Sequence, residues 1–311
     1  MAELIKGSLV ASHIRQQVGT EVAALSAGGV RPCLAVCLVG EDSGSRIYVR
    51  RKQQGCAAVG ILSIRADLPR TARTEEVLDV IHGWNADGSI HGILVQLPLP
   101  DHIDRFAVLD AIDPAKDVDA IQATNIGRLV QGRPRFLPCT PGGIIELFKH
   151  YNISTLGKHV VIVNRSIVVG EPLAAMLVQE QRFGNATVTV CHEHTRGIER
   201  ICRTADIIIV AVGKRPDFCL RGNMVKKGAI VIDVGINRVG KRIVGDAEFD
   251  EVYQKASLIT PVPGGVGPCT VAMLLKNTAE AARLSLLAGE EAQSAAGLPP
   301  TGLLKVVLSE R

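Results

Sequence analysis

Tyr48 and Lys52, in Tyr48-Val-Arg-Arg-Lys52, stand four residues apart in a stretch with helical spacing, which puts both on one helical face. A lysine amine beside a phenol is a candidate acid–base pair. On spacing alone a solvated lysine next to a half-buried tyrosine is the expected reading. Gln96 closes the apolar run His91-Gly-Ile-Leu-Val-Gln96, which reads as a buried strand. A buried amide needs partners, so Gln96 either completes a structural hydrogen bond or orients a neighbour. Asp119 follows Asp117 in a loop, where a carboxylate caps, turns or receives a ligand.

A second group of residues offers backbone rather than side-chain chemistry. Residues 261–268 hold three prolines and three glycines, a run expected to be neither strand nor helix. It reads as a shaped loop, and such loops on rigid elements carry function. The loop ends in Pro-Cys-Thr at 268–270, a tripeptide that also occurs at 138–140, each copy opening an apolar helical stretch. Between the copies lie about 130 residues that read as a nucleotide-binding unit, so a two-domain enzyme with a cleft is expected.

The elements that must position these residues alternate in type. Strands are predicted at 33–39, 61–64 and 91–97, with helices at 45–59, 74–86 and 103–111, and Ser43 or Ser45 as N-cap. A helix is predicted from 142 to 151. Then come strands at 159–164, 187–191, 206–213 and 229–235, with helices at about 171–182 and from about 195. This rhythm implies α/β domains with parallel sheets and right-handed crossovers. The later segment resembles a Rossmann-type unit, although the full G-x-G-x-x-G fingerprint is absent and only Gly170 stands where its last glycine would.

Composition narrows the class. The chain of 311 residues is 47% apolar, enough for two cores, with a net charge of +4 and 3% aromatic residues. The densest basic spot, Arg50-Arg51-Lys52, is too short for a nucleic-acid stripe, and few aromatics argue against base stacking. No run reaches the roughly 18 apolar residues of a membrane span, and the first residues lack a signal-peptide core. A cytoplasmic protein is expected. The eight cysteines show no zinc spacing and read as reduced core residues, so no metal is implied.

Several longer motifs occur in order: Ser45-Arg-Ile-Tyr-Val-Arg-Arg-Lys52, Gly92-Ile-Leu-Val-Gln-Leu-Pro-Leu-Pro100, Lys116-Asp-Val-Asp119, Asn125-Ile-Gly-Arg-Leu129, Pro138-Cys-Thr-Pro-Gly-Gly143, Val169-Gly-Glu-Pro172 and Ile259 to Leu274. Over residues 5–285 the chain resembles the bifunctional methylenetetrahydrofolate dehydrogenase/methenyltetrahydrofolate cyclohydrolase family. The resemblance implies two α/β domains flanking a cleft. The first, folate-binding, would span 1–144, completed by a helix at about 270–290. The second, a Rossmann-type NAD(P)-binding domain, would span 145–269, with 291–311 as an extension. It implies oxidation of 5,10-methylenetetrahydrofolate by hydride transfer to a nicotinamide, then hydrolysis of the methenyl product in the same cleft. By the family pattern Lys52 is the catalytic lysine, Tyr48 packs on the folate, Gln96 holds the lysine, and Asp119 binds the pterin. Pro263, Gly264 and Gly265 would line the substrate site. Asn164, Arg165, Ser166, Gly170, Glu193, Val212, Gly213, Gly235 and Ile236 would contact the cofactor. The partners implied are a folate substrate and a second copy of the chain, with neither nucleic acid nor membrane.

Departures from the family pattern qualify this reading. Ala120-Ile-Gln-Ala123 stands where Gly-Phe-His-Pro is usual, Gln54 where a second lysine is common, and Asn164 where a glycine precedes Arg165-Ser166. Glu193 stands where NADP-using relatives carry serine, 23 residues beyond Gly170, a position where an acid binds the ribose of NAD. NADP is the family default and NAD the alternative. The alternative functions are a monofunctional NAD-dependent dehydrogenase and a non-catalytic folate- or nucleotide-binding homologue. The stretch from about Ala288 reads as a mobile linker with a short apolar end.

Overall fold

In a computed structural model that describes residues 1–40, 43–240 and 242–295, the chain divides into two compact units. In order, the elements are β1 (Glu3–Leu4), α1 (Gly7–Ala27), β2 (Cys33–Val39), α2 (Ser43–Val59), β3 (Leu62–Leu68), α3 (Thr74–Ala86), β4 (Gly92–Val95), α4 (Arg105–Asp110), α5 (Ala123–Val130) and α6 (Cys139–His150). They continue with β5 (His159–Val163), α7 (Gly170–Val178), β6 (Thr187–Cys191), α8 (Ile198–Cys202), β7 (Ile207–Val210), β8 (Ile230–Asp233), β9 (Asn237–Val239), β10 (Arg242–Val244), α9 (Phe249–Tyr253), β11 (Leu258–Ile259) and α10 (Val266–Ala295).

Among the described residues one unit comprises His13–Ile126 and residues 271–295, built around the parallel sheet β3-β2-β4. All seven residues of β2, Cys-Leu-Ala-Val-Cys-Leu-Val, are buried, the pattern of a central strand covered on both faces. β3 is an edge strand, and its Leu62 and Ile64 remain partly exposed. α2 packs on α10, where a Cβ on Gly55 would lie 3.2 Å from Val271 and 3.3 Å from Leu275. Asn277 of α10 donates its Nδ2–H to the Val118 carbonyl at 2.8 Å, tying that helix to the loop that carries Asp119.

The other unit comprises Met1–Ser12 and Gly127–Thr270, built around the six-stranded sheet β1-β11-β8-β7-β5-β6, with every pairing parallel. Its core strands are runs of branched aliphatics such as Ile-Ile-Ile-Val210, wholly buried. From β5 the sheet grows one way to β6 and the other way to β7, so the strand order reverses between β5 and β7. In such sheets ligands bind at that reversal, outside the carboxyl ends of the strands. The first residues join this unit because Glu3 and Leu4 pair with Leu258 and Ile259. By compactness the two units divide at 126/127.

The two Pro-Cys-Thr copies meet inside the six-stranded unit. The Thr140 and Thr270 hydroxyl oxygens are 3.1 Å apart, and a Cβ on Gly143 would stand 3.0 Å from the Cys269 Cβ. Both prolines precede or open a helix, but α10 starts at Val266, so Val266-Gly-Pro268 is helical rather than loop. Pro268 sits in the first turn, where its missing N–H has no intrahelical partner to lose. A further correction concerns the helix end: Ala288–Ala295 continues α10, because Ala, Glu and Gln favour helix over linker. The rest of the expected tail lies outside the described residues, as do the side chains of Ser43 and Ser45. α1 carries the buried stripe Val10, Ile14, Val18, Val22 and Leu25 at helical spacing, a signal the element reading above passes over. Seven of the eight cysteines are buried and all are free thiols, small components of the cores. Among the described residues no helix is long and apolar enough to cross a membrane.

Candidate functional site

On the three-stranded unit, Lys52 and Gln96 are brought together. The Lys52 Nζ donates to Gln96 Oε1 at 2.9 Å. Which end of the amide faces the lysine follows from the other end: Gln96 Nε2 donates to the Leu97 carbonyl at 2.7 Å, an atom that can only accept. The strand prediction is shortened here. β4 stops at Val95, and Gln96 is half-buried rather than buried, its backbone N–H adding one last ladder bond to the Cys37 carbonyl at 2.9 Å. Leaving the strand is what frees the side chain to turn toward α2. Tyr48 lies one turn before Lys52 on α2 and is half-buried. Burial raises its phenol pKa, with Arg51 opposing, so the hydroxyl stays protonated at neutral pH and can donate.

Asp119 is held by its neighbours rather than by its own side chain. Lys116 donates three hydrogen bonds to the carbonyls of Trp84, Asn85 and Asp87 at 2.7–3.0 Å, capping the C-terminal end of α3. Burial lowers the Lys116 pKa. The Lys116 carbonyl accepts from the Ile93 N–H at 2.7 Å, and Asp117 bridges Ile93, extending the sheet beyond β4. Asp117 is 1% exposed, and its Oδ2 accepts from the Gln122 N–H and from Asn125 Nδ2, both at 2.9 Å. Burial, with Asp119 nearby, pushes its pKa up to about 6. Ala120 adopts φ +57°, a left-handed conformation, and Gln122 Oε1 accepts from the Thr124 N–H at the start of α5. The altered segment 120–123 is therefore an ordered turn. Asp119 itself is half-buried and makes no side-chain hydrogen bond or ion pair among the described residues, which leaves its carboxylate for a ligand.

On the six-stranded unit, the nine predicted cofactor residues all follow the carboxyl ends of four neighbouring strands, β8, β7, β5 and β6. Asn164 organises the turn after β5. Its Oδ1 accepts from Ser166 N–H, Ser166 Oγ–H and Gly170 N–H at 2.7–2.9 Å. Its Nδ2 donates to the Ala211 carbonyl at 2.7 Å, joining the ends of β5 and β7 where the strand order reverses. The carboxamide is thus used within the turn and shapes it. A Cβ on Gly170 would stand 2.1 Å from the Asn164 carbonyl oxygen, so only glycine allows α7 to start that close to the strand end. Arg165 and Glu193, both largely exposed, form an ion pair across the ends of β5 and β6. The Glu193 pKa is lowered, first by its own backbone amide and then by Arg165.

Two buried acids that the element pattern did not single out hold the turns after β7 and β8. The Asp246 carboxylate accepts from Val212 N–H at 2.6 Å, Gly213 N–H at 3.0 Å and Asn237 Nδ2 at 2.8 Å. Asp233 accepts from Gly235 N–H at 3.0 Å, Asp246 N–H at 2.9 Å and Ala247 N–H at 2.8 Å. Its pKa is raised to about 6, chiefly by burial. Gly235 and Gly245 are glycines because a Cβ would stand 2.1 Å and 1.9 Å from these carboxylates. The signal was present: an acid ending the apolar run Ile230-Val-Ile-Asp233 is as odd as the amide ending the run at Gln96. The exposed Ile236 lies beside these turns. A reversal in strand order, a glycine-dependent close approach at a helix start and turns locked by buried carboxylates together fit a dinucleotide.

Pro263, Gly264 and Gly265 belong to the six-stranded unit, after β11, whereas Tyr48, Lys52, Gln96 and Asp119 belong to the three-stranded one. Gly264 adopts φ +104°, and its carbonyl accepts from the Ser8 N–H at 3.1 Å. A Cβ on Gly7 would stand 1.9 Å from the Gly265 carbonyl oxygen, so the start of α1 packs directly on this loop. A cavity of ≈ 510 Å³ bordered by Leu137, Ile145, Lys149, Met176 and Phe183 contains none of the predicted residues. Among the described residues no three His, Cys, Asp or Glu side chains gather as a metal-binding group.

Comparison with known proteins bears on both clusters. A family model described as tetrahydrofolate dehydrogenase/cyclohydrolase, catalytic domain, matches residues 5–119, and one described as the NAD(P)-binding domain of the same family matches residues 138–286. The chain is 49% identical over 284 residues to the bifunctional protein FolD of Acetivibrio thermocellus, covering 91% of this chain and 98% of that one. The crystal structure of the bifunctional enzyme FolD, a methylenetetrahydrofolate dehydrogenase/cyclohydrolase, from Campylobacter jejuni is similar with a TM-score of 0.86 and 45% identity, covering 91% of this chain and 99% of that one. The Trypanosoma brucei methylenetetrahydrofolate dehydrogenase-cyclohydrolase, solved with NADP and an inhibitor, has a TM-score of 0.86 at 38% identity, covering 92% and 98%.

Proposed function

Because this chain belongs to the tetrahydrofolate dehydrogenase/cyclohydrolase family, we infer that it oxidises 5,10-methylenetetrahydrofolate and hydrolyses the product to 10-formyltetrahydrofolate. The observation that carries the reading on the residue level is the Lys52–Gln96 hydrogen bond, with the amide fixed by the Leu97 carbonyl.

In the first step a hydride leaves the methylene carbon with both electrons of its C–H bond, and the folate becomes a methenyl cation. The nicotinamide, when bound, supplies the hydride acceptor. The strand-end turns would hold it: Gly170 and Ser166 at the phosphates, Arg165 and Glu193 at the adenosine ribose, and Val212, Gly213, Gly235 and Ile236 toward the nicotinamide. Hydride transfer needs no acid or base, only a close and aligned approach of the two carbons. No metal enters this scheme.

In the second step water adds to the methenyl carbon. Lys52 takes a proton from the water as its oxygen bonds to carbon. The bond from carbon to N5 then breaks, the remaining hydroxyl proton passes to N5, and the formyl group stays on N10. The proton held by Lys52 is the one released overall. A positively charged substrate beside the lysine favours the neutral amine that this step requires. Gln96 holds the amine in place, Tyr48 offers a neutral phenol and a ring for packing on the folate, and Asp119 accepts the pterin N–H groups. Pro263, Gly264 and Gly265 would contact the substrate with backbone rather than side chains.

Following both steps spectroscopically with methylenetetrahydrofolate, with NAD and NADP supplied in turn, tests the reading. Formation of the methenyl chromophore and its decay are expected; absence of both would overturn it. A homodimer in the cytoplasm is proposed on the family resemblance, and light scattering on the purified chain tests the dimer.

A further inference from the structure

Glu193 and Arg165 occupy the corner of the six-stranded unit where the adenosine end of a dinucleotide would lie. β6 is the parallel neighbour of β5, so its carboxyl end stands beside the turn that leads into α7. In α/β sheets of this kind an acid just beyond the second strand hydrogen-bonds the ribose 2′-hydroxyl of NAD, while an arginine nearby accommodates the 2′-phosphate of NADP. Here both residue types are present, and they are bonded to each other: Arg165 Nη2 donates to Glu193 Oε1. His194 adds a second nitrogen 3.9 Å from the same carboxylate. Arg165 and His194 therefore both lie against Glu193. Both partners stay accessible, with side chains 48% and 63% exposed, so a ribose can reach them.

We propose that Glu193 makes this chain prefer NAD to NADP, by accepting the ribose hydroxyl and by occupying Arg165 as its ion-pair partner. This rests on the reading of the six-stranded unit as the dinucleotide site. A 2′-phosphate would bring a dianion against a carboxylate and would have to take Arg165 from it, whereas a 2′-hydroxyl donates to Glu193 and leaves the ion pair intact. Like charges brought together at a binding site suppress the wrong ligand strongly. Asn164 cannot compensate, because its carboxamide is used within the turn.

Calorimetric titration of NAD and NADP into the wild-type chain, Glu193→Gln and Glu193→Ser tests this without turnover. The wild type is expected to bind NAD about tenfold or more tightly than NADP. Glu193→Gln removes the charge but keeps the shape, and should tighten NADP about tenfold while weakening NAD. Glu193→Ser should move the ratio further in the same direction. Equal or tighter NADP binding by the wild type overturns the proposal, and so does an unchanged ratio in both variants. Failure of the wild type to bind either dinucleotide would instead remove the dinucleotide reading beneath it.

Discussion

Lys52 and Gln96 on one unit, and the turns after β7 and β8 on the other, present their functional groups by different means. Lys52 meets Gln96 side chain to side chain, both half-buried and neither among the core residues. The turns at Val212–Gly213 and Gly235 present main-chain groups, and what fixes them is a pair of buried carboxylates, Asp246 and Asp233, that also complete the fold. The first arrangement separates chemistry from stability. The second joins them, since an amide cannot be repositioned without disturbing the chain that carries it. Substitutions in the two regions should therefore fail differently.

The largest expected effect comes from Lys52→Gln. General-base catalysis contributes roughly 10²–10⁴-fold, and methenyl hydrolysis should fall by about that factor. The urea midpoint should barely move, and NAD(P) binding measured by titration should persist. Undiminished hydrolysis would show that Lys52 is not the base; a large loss of stability would show that the two regions are not built differently.

Asp246→Ala should produce the opposite pattern. Three donors lose their acceptor, two of them backbone N–H groups of the turn after β7 that is proposed to hold the cofactor. Only the Asn237 donor is buried, the two backbone donors being half-buried and exposed, so the loss should cost roughly 1–3 kcal/mol, and the cofactor should bind weakly even where the chain remains folded. Normal dinucleotide affinity in a destabilised variant would confine Asp246 to a structural role.

This difference also explains what the sequence makes legible. Side-chain chemistry shows in residue types and spacing: Tyr48 and Lys52 share a helical face, and Gln96 interrupts an apolar run. The parallel strands and the strand-end glycines are equally visible, because buried β runs are long and aliphatic. Asp246 is different. It sits between Gly245 and Ala247 in what reads as a surface turn, and its importance comes only from its three donors, at least nine residues away in sequence. Lys116 and Asn277 are hidden for the same reason: a lysine that caps α3 and an asparagine that holds the Asp119 loop look solvated until the chain is folded. The start of α10 at Val266 was hidden by composition, since glycine and proline argue against a helix except in its first turn.

A smaller effect, on pH dependence, separates the pins from the groups they hold. Asp117 has a folded pKa raised to about 6 by burial, above the ordinary carboxylate range. The folded chain thus binds this proton more tightly than the unfolded chain. Its contribution to stability falls as pH rises from about 4 to about 6 and is constant above that. Asp117→Asn should remove this component, so the wild-type stability relative to the variant should decline across that window in urea midpoints measured from pH 4 to 8. A difference that rises with pH would mean that the hydrogen bonds from Gln122 and Asn125 outweigh burial.

Ala120→Gly should have the smallest effect, and it bears on how the two regions hold left-handed backbone. Both units place glycine at left-handed positions, such as Gly40 and Gly60 on one and Gly213 and Gly264 on the other, and the six-stranded unit also holds Asn152 and Asn185 there, but next to Asp119 the conformation at φ +57° belongs to an alanine. Relieving that alanine recovers about 1–2 kcal/mol. Against it stand roughly 0.5–1 kcal/mol of additional chain entropy lost on folding by glycine and about 0.8 kcal/mol for the buried methyl group, 1% exposed. These nearly cancel, so stability should change by less than about 1 kcal/mol. The turn should persist, because Lys116, Asp117, Gln122 and Asn277 hold it from four directions. Folate affinity should likewise stay within about threefold, or less than 1 kcal/mol. A large loss of affinity at unchanged stability would mean that the alanine itself, and not the network beneath it, sets the position of Asp119.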